Sequence, residues 1–377
     1  MDQTWPQRLI DAREQLGASR EQAAAWSQLP VEVVERAEAG AAISSTELEM
    51  LCRGLVVSPQ AILSGGNPDP KRTPAFFRTA VGPEIHLSAG DLRTLQVVAQ
   101  VSRMVGYLAT ELGMPSKIRE LRRLEPVQVK REEPWQQGYR LGEAARTKLE
   151  KPDQPLLSLR QVFFGLGIHL VELDLSPTLE GASIWQPGGL PVVLLNRRSR
   201  RVAYSLSRRA ILGHELCHLL HDGGEAEVLT RVSSAEDQGN YTDRLEQRAR
   251  GFSPAFIAPP KAVLAFWVAQ GLDRLPPEER VSRLATTWGL SFEGAIWHAR
   301  NCELLSQDLA DTLAREARAG ELPKPSLEGW EEPLAHPNPP GENVSALLSG
   351  LAAGIVLQAA KADLISEGRC RELLAWR

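Results

Sequence analysis

The sequence predicts a mainly α-helical α+β protein, with a helical module in front of a larger unit that contains a small β-sheet. Three observations lead there. Apolar residues recur at helical spacing through most of the 377 residues. Alternating, β-rich stretches are confined to about 167–198. Gly- and Pro-rich breaks, "GGNPDPKRTP" and "ELPKPSLEGWEEPLAHPNPPGEN", divide the helical stretches.

The elements follow in order. Residues 1–65 read as five short helices, the second starting at a capping box formed by Ser19 and Gln22, another capped by Ser45. A linker covers 66–87. Helices are expected over about 88–124, in "YRLGEAARTKLE", and in "SLRQVFFGLG", which should stop at Gly165 or Gly167. "GIHLVELDL" is a strand, and "GASIWQPGGLPVVLLNRR" is two strands around a turn at Pro187-Gly188-Gly189. A long helix, capped by Ser205 or Ser207, then runs to Gly223-Gly224. A polar loop (225–241) separates it from helices at about 243–257, 278–287 and 291–318. The main unit is therefore 88–320, with its motif-bearing core at 165–302. A Pro-rich loop (321–343) and a C-terminal helical pair (344–377) complete the chain.

Composition narrows the function. With 43% hydrophobic and 24% charged residues, the chain has ample material for a core. A net charge of −4 gives no overall attraction to nucleic acid or anionic membrane. "MDQTWPQRLI" has no secretion-signal pattern. The apolar run Ala346 to Ala360 is too short to span a bilayer, and its Gly350/Gly354 pair reads as helix packing within a core. Cysteines stand singly at 52, 217, 302 and 370, so no disulfide framework is expected. The expectation is a cytoplasmic protein with no membrane partner.

The chemistry concentrates in "RRAILGHELCHLLHDGG", which holds three of the seven histidines. His214-Glu215-Leu216-Cys217-His218 is H-E-x-x-H. On a helix, residues four apart share a face, so His214 and His218 can present two imidazoles to one Zn2+ ion. Glu215 lies about 100° around the helix and can take a proton from water without ligating the metal. His221 faces the same way but sits further along the axis. Asp222 reads as a solvent-facing residue at the helix end, or as a carboxylate that orients a ligating histidine. The third ligand must come from elsewhere, and spacing leaves Glu246, Asp243 and Glu236 as candidates. Cys217 reads as a small buried thiol or a redox-sensitive one beside the metal. Tyr204 and Tyr241 are candidate oxyanion donors.

Together, Gly167-Ile168, Leu179-Glu180-Gly181, Asn196, the H-E-x-x-H, and Glu246, Ala249, Phe252 and Pro259 resemble the ImmA/IrrE family of zinc metallopeptidases. "TPAFFRTA", "EAARTKL" and the C-terminal "AAKADLISEGRCRELL" extend the resemblance over about 70–377. It implies a zincin-like domain with a gluzincin-like His-His-Glu site: His214, His218 and Glu246 as zinc ligands and Glu215 as general base. Two departures stand in the motif. Gly213 replaces the Ala common before the first histidine, and Cys217 replaces a Gly. Leu179-Glu180-Gly181 corresponds to a turn in the family pattern.

Residues 1–65 resemble an XRE-type, lambda-repressor-like helix-turn-helix, with Ala24 at the tight-packing position and "PVEVVERAEAG" as the recognition helix. Such helices read bases from the major groove. Arg20, Glu32 and Arg36 are the candidate DNA-facing residues. The module carries nine acidic and five basic residues, so 5 − 9 gives −4, and phosphate contacts supply most of the affinity of such domains. Protein docking or homodimer formation is the competing use. A second local feature is "RRSRRVAYSLSRR" (197–209), with six arginines and no acid, which reads as a solvated helix start or as a basic rim beside the cleft.

The resemblance implies a zinc-dependent endopeptidase whose protein substrate is a regulator such as a cognate repressor, cut in a stress, phage or mobile-element response. The alternative is a DNA-binding transcriptional regulator or antitoxin-like protein in which the zincin domain acts only in binding.

Overall fold

A computed structural model describes residues 4–64, 87–114, 117–118, 121, 132–149, 152–186, 188–222, 229–234, 244–322, 329–330 and 347–374. Of the expected features, the linker apart from Leu87, "TPAFFRTA", Pro187, Gly223-Gly224, most of the Pro-rich loop, and Glu236, Tyr241 and Asp243 lie outside the described residues.

Mostly helical with one small sheet, the structure bears out the α+β expectation. Helices α1 (Trp5–Gln15), α2 (Arg20–Ser27), α3 (Val31–Glu38), α4 (Ser45–Gly54) and α5 (Pro59–Ser64) enclose Leu9, Leu16, Ala23, Val34, Leu51 and Leu55. The Ser19/Gln22 capping box forms. The cap of α4 is Ser44, not Ser45, because Glu47 lies three residues beyond Ser44 and its carboxylate accepts from the Ser44 N–H at 2.7 Å.

Four strands form one sheet in the order β1-β3-β2-β4: β1 (His169–Leu173), β2 (Leu179–Trp185), β3 (Val192–Asn196) and β4 (Leu229–Ser234). β1 runs parallel to β3, and β2 is antiparallel to both β3 and β4. β4 falls where a polar loop was expected; pairing with β2 outweighs the polar composition of "LTRVSS". Leu179-Glu180-Gly181 begins β2 and is not a turn.

Helices cover both faces of the sheet. On one face Val192, Leu194, Ala182 and Ile184 meet Val98, Val101 and Val105 of α6 (Ala89–Glu111), with α16 (Gly350–Lys361) and α17 (Glu367–Leu374) completing that layer. On the other, Val193 and Leu195 meet Ile211, Leu212 and Leu216 of the motif helix. Strands buried on both faces explain the unbroken apolar run "PVVLLN".

The second layer contains α7 (Pro134–Lys148), α8 (Leu159–Leu166), α9 (Arg200–Ala203), α10 (Ser205–His221), α11 (Arg244–Ile257), α12 (Pro260–Ala269), α13 (Pro277–Trp288), α14 (Phe292–Asn301) and α15 (Gln307–Ala319). Three expectations change here. α10 begins after Tyr204 with no side-chain cap, neither Ser205 nor Ser207 filling that role. Helix α12 was not expected between 257 and 278. The single helix 291–318 is two, broken where Glu303 adopts φ 62 and Ser306 caps α15. No single helix among the described residues is long and apolar enough to cross a membrane; the bent pair α11 and α12 qualifies by length and composition alone, and its Phe252, Phe256 and Trp267 lie in the core.

Candidate metal centre

Helix α10 brings the Nε2 atoms of His214 and His218 to 3.0 Å from each other. Glu246, in the first turn of α11, closes the group. Its Oε2 is 3.0 Å from His214 Nε2 and its Oε1 is 3.3 Å from His218 Nε2. These three side chains form a group whose donor atoms all lie within 4.8 Å of one another.

Helix α11 is placed by an unusually close crossing with α7. A Cβ on Gly138 would come 2.1 Å from Arg248 O, and one on Gly251 would come 2.2 Å from Trp135 O. Only glycine allows the two backbones to approach this far. The crossing holds the start of α11, and with it Glu246, against the histidines.

The donor set fits zinc. Ligand bonds of 2.0–2.1 Å in a tetrahedral site separate donor atoms by about 3.3 Å, close to the separations seen. His218 Nδ1 donates to the Asp222 carboxylate, whose side chain is 1% exposed. A neutral ring so fixed turns the Nε2 lone pair toward the group, as a metal ligand requires. Burial raises the Glu246 carboxyl, but when His214 and His218 are protonated their hydrogen bonds and charges outweigh it and hold it well below the usual carboxylate range. His218 is fully buried and Glu246 nearly so, while His214 is 14% exposed, so the group opens on the His214 side.

Glu215 points to the sheet and is fully buried. Ser183, on the same face of β2 as Gly181, donates to Glu215 Oε2 at 2.6 Å. A Cβ at Gly181 would lie 3.2 Å from Glu215 Oε1, so a larger residue there would crowd the carboxylate. Sequence reasoning missed Ser183. A serine in a buried strand carries no motif, and only the strand's alternation against α10 marks it.

Asp222 is not solvent-facing; of its two readings, the carboxylate that orients a histidine is the one its contacts match. Besides His218 it engages Arg248 of α11, so it lies between the two helices that carry the group. Cys217 is buried; desolvation pushes its thiol up to about 12, against a smaller downward pull from Arg248. A thiol in that state is a packing group, not a reactive one. A Cβ at Gly213 would come 2.6 Å from Ser253 Oγ, which donates to Ala210 O, so a larger residue there would have to displace that hydroxyl.

Other candidates separate from the group. His221 lies outside it, its ring against Phe252. Tyr204 precedes α10, ten residues and about 15 Å of helical rise from His214. Of the six arginines of 197–209, Arg198 and Arg200 are exposed and Arg201 partly so, while the other three turn inward. Arg208 and Arg209 are buried, Arg209 donating to Leu156 O, Leu157 O and Gly289 O. Arg201 pairs with Glu180 and Arg197 with Asp174. In the N-terminal module, Arg20 pairs with Glu38 at 2.7 Å and Arg36 with Glu47 at 3.0 Å, while Glu32 is exposed.

Residues 165–296 match the family model of the IrrE N-terminal-like domain, Peptidase_M78. The match spans the sheet, the H-E-x-x-H helix and Glu246, and it supports the ImmA/IrrE part of the resemblance and a metallopeptidase character. No curated protein and no solved structure matches the chain.

Proposed function

We propose that this chain is a zinc-dependent endopeptidase. The observation that carries the reading is the meeting of His214, His218 and Glu246 from two helices, with Glu215 beside His214 in sequence. His214, His218 and Glu246 would hold the ion. A zinc ion held there supplies Lewis acidity to a substrate carbonyl and makes water acidic enough to attack it. Glu215 takes the proton of the attacking water and returns it to the leaving amine. Ser183 fixes that carboxylate through Oε2. Asp222 and Arg248 hold His218 in its ligating orientation.

The substrate class we infer is a regulatory protein such as a repressor. The N-terminal five helices serve this by docking a protein. Two of the three candidate DNA-facing residues, Arg20 and Arg36, are neutralised within the module by Glu38 and Glu47, and the third, Glu32, is an acid. This favours docking over a DNA-binding regulator.

Metal analysis of wild type and Glu215→Gln, together with cleavage assays on candidate repressor proteins, tests the proposal. Zinc in both proteins, with cleavage lost only in the variant, is expected. A wild type that binds no metal would overturn the reading.

A further inference from the structure

Strand β2 changes face once along its length. Leu179, Ala182 and Ile184 lie in the core on the α6 side, whereas Trp185 lies in the core on the α10 side, where Gly181 and Ser183 meet Glu215. A regular strand turns alternate residues to opposite faces, so Leu179 and Gly181 should point the same way. They do not, because the strand is irregular between them. Against β4, Leu179 stands opposite Ser234 and Gly181 opposite Ser233, which leaves Glu180 as an extra residue, a β-bulge. Unbroken alternation from Leu179 would turn Ala182 and Ile184 toward α10 and Ser183 away from it.

Two side chains hold the bulge. Asn196, the last residue of β3, has no exposed surface. Its Nδ2 donates to Leu179 O at 2.7 Å and to Ser176 O at 2.8 Å, and its Oδ1 accepts from the N–H groups of Leu175 and Arg198, each at 3.0 Å. All four hydrogen-bonding positions of the amide are filled. Backbone pairing of β2 with β3 begins at Gly181, opposite Leu195, so the Asn196 side chain takes over where that ladder stops. Glu180 itself is buried, and both its carboxylate oxygens accept from Arg201 Nη1 of α9, at 2.9 and 2.7 Å.

We infer that Asn196 and Arg201 are positioning residues: they fix the bulge at Glu180 and so decide which face of β2 meets Glu215. Bulges recur beside active sites because one extra residue re-aims the side chains that follow. Here the re-aimed residues are Gly181, which leaves room for the Glu215 carboxylate, and Ser183, which donates to it. The catalytic consequence rests on the peptidase reading of Glu215; the hold on the bulge does not.

The test uses the full chain and two readouts. The first is amide hydrogen exchange of residues 179–185 in metal-free protein. Asn196→Asp keeps the shape of the side chain but loses its two donors, and should speed this exchange by about tenfold or more. Arg201→Gln, which removes the cationic partner of Glu180, should speed it too. Arg200→Gln, at an exposed neighbour, should change nothing. The second readout is a double-mutant cycle on kcat, with zinc content matched. Ser183→Ala should cost about tenfold in the wild-type background and little further in Asn196→Asp, where the serine no longer faces Glu215. Fully additive losses, or exchange of β2 unchanged in both variants, would overturn the inference. If Asn196→Asp does not fold, Arg201→Gln carries both arms. A wild type without zinc and without cleavage would overturn the peptidase reading instead, and the exchange experiment would still decide the bulge.

Discussion

The Ser183 hydroxyl donates to Glu215 Oε2 at 2.6 Å, joining an internal strand of the sheet to the helix that carries both histidines. A hydrogen bond to a charged group contributes more than a neutral one, and here it also sets where a carboxylate points. Ser183→Ala should keep the metal and the fold but lower kcat by about tenfold. Metal content by mass spectrometry and single-turnover cleavage check it. Unchanged kcat would show that Glu215 is oriented without the serine.

Asp222 orients His218, and partners of ligating histidines typically matter about ten- to a hundredfold in metal affinity. Asp222→Asn should weaken zinc binding within that range, measured by competition with a chelator. Asp222→Glu should recover part of the loss. Equal affinity in Asp222→Asn and wild type would place the residue in a purely structural role.

Glu38 sits 2% exposed between Arg13 and Arg20. Its removal leaves the nearly buried Arg13 guanidinium with only the longer carboxylate contact, to exposed Glu14 at 3.6 Å. Glu38→Ala should destabilise the N-terminal module by about 2–4 kcal/mol. Amide hydrogen exchange of α1–α4 across a urea series reads this out, and a shift well under 1 kcal/mol contradicts it.

His298 is buried, with Nε2 2.7 Å from Ala258 O and Nδ1 2.9 Å from the Tyr139 hydroxyl. Burial is the main cause that lowers its pKa to about 4, the Ala258 carbonyl opposing. The unfolded chain, with an ordinary histidine near 6.5, binds the proton first. Stability is therefore complete above about pH 6.5 and falls as pH drops toward 4. In metal-free protein, His298→Gln should flatten this acid limb of a melting-temperature profile. Parallel profiles for variant and wild type would exclude His298 as its source.

Cys217 has no exposed surface. A thiol reagent should leave it unmodified in the native chain and modify it after unfolding, as read by peptide mass spectrometry. Native labelling at Cys217 would restore the redox-sensitive reading.

Much of the candidate site was legible because its grammar is local. The i, i+4 spacing of His214 and His218 needs only a helix, and the helical pattern around them is plain. Glu246 was one of three candidates on spacing and was singled out by resemblance, since nothing within α11 says which helix it will face. Asp222 was legible only as the alternative to a helix end in water, and Ser183, which looks like any strand serine, was not legible at all. The arginines of 197–209 misled for the same reason: composition suggests solvent, whereas Arg208 and Arg209 turn inward to carbonyls.

The sequence by itself determined the helical class, the small sheet before the motif, the histidine pair and its adjacent glutamate. These depend on periodicity and short-range geometry, which a chain carries wherever it folds. Tertiary structure alone decided that Glu246 meets the histidines, that Asp222 and Arg248 brace His218, and that Ser183 fixes Glu215. Those contacts depend on how closely two helices cross and which face a strand turns to its neighbour. The crossing at Gly138 and Gly251 sets the first, and the alternation of β2 beneath α10 sets the second.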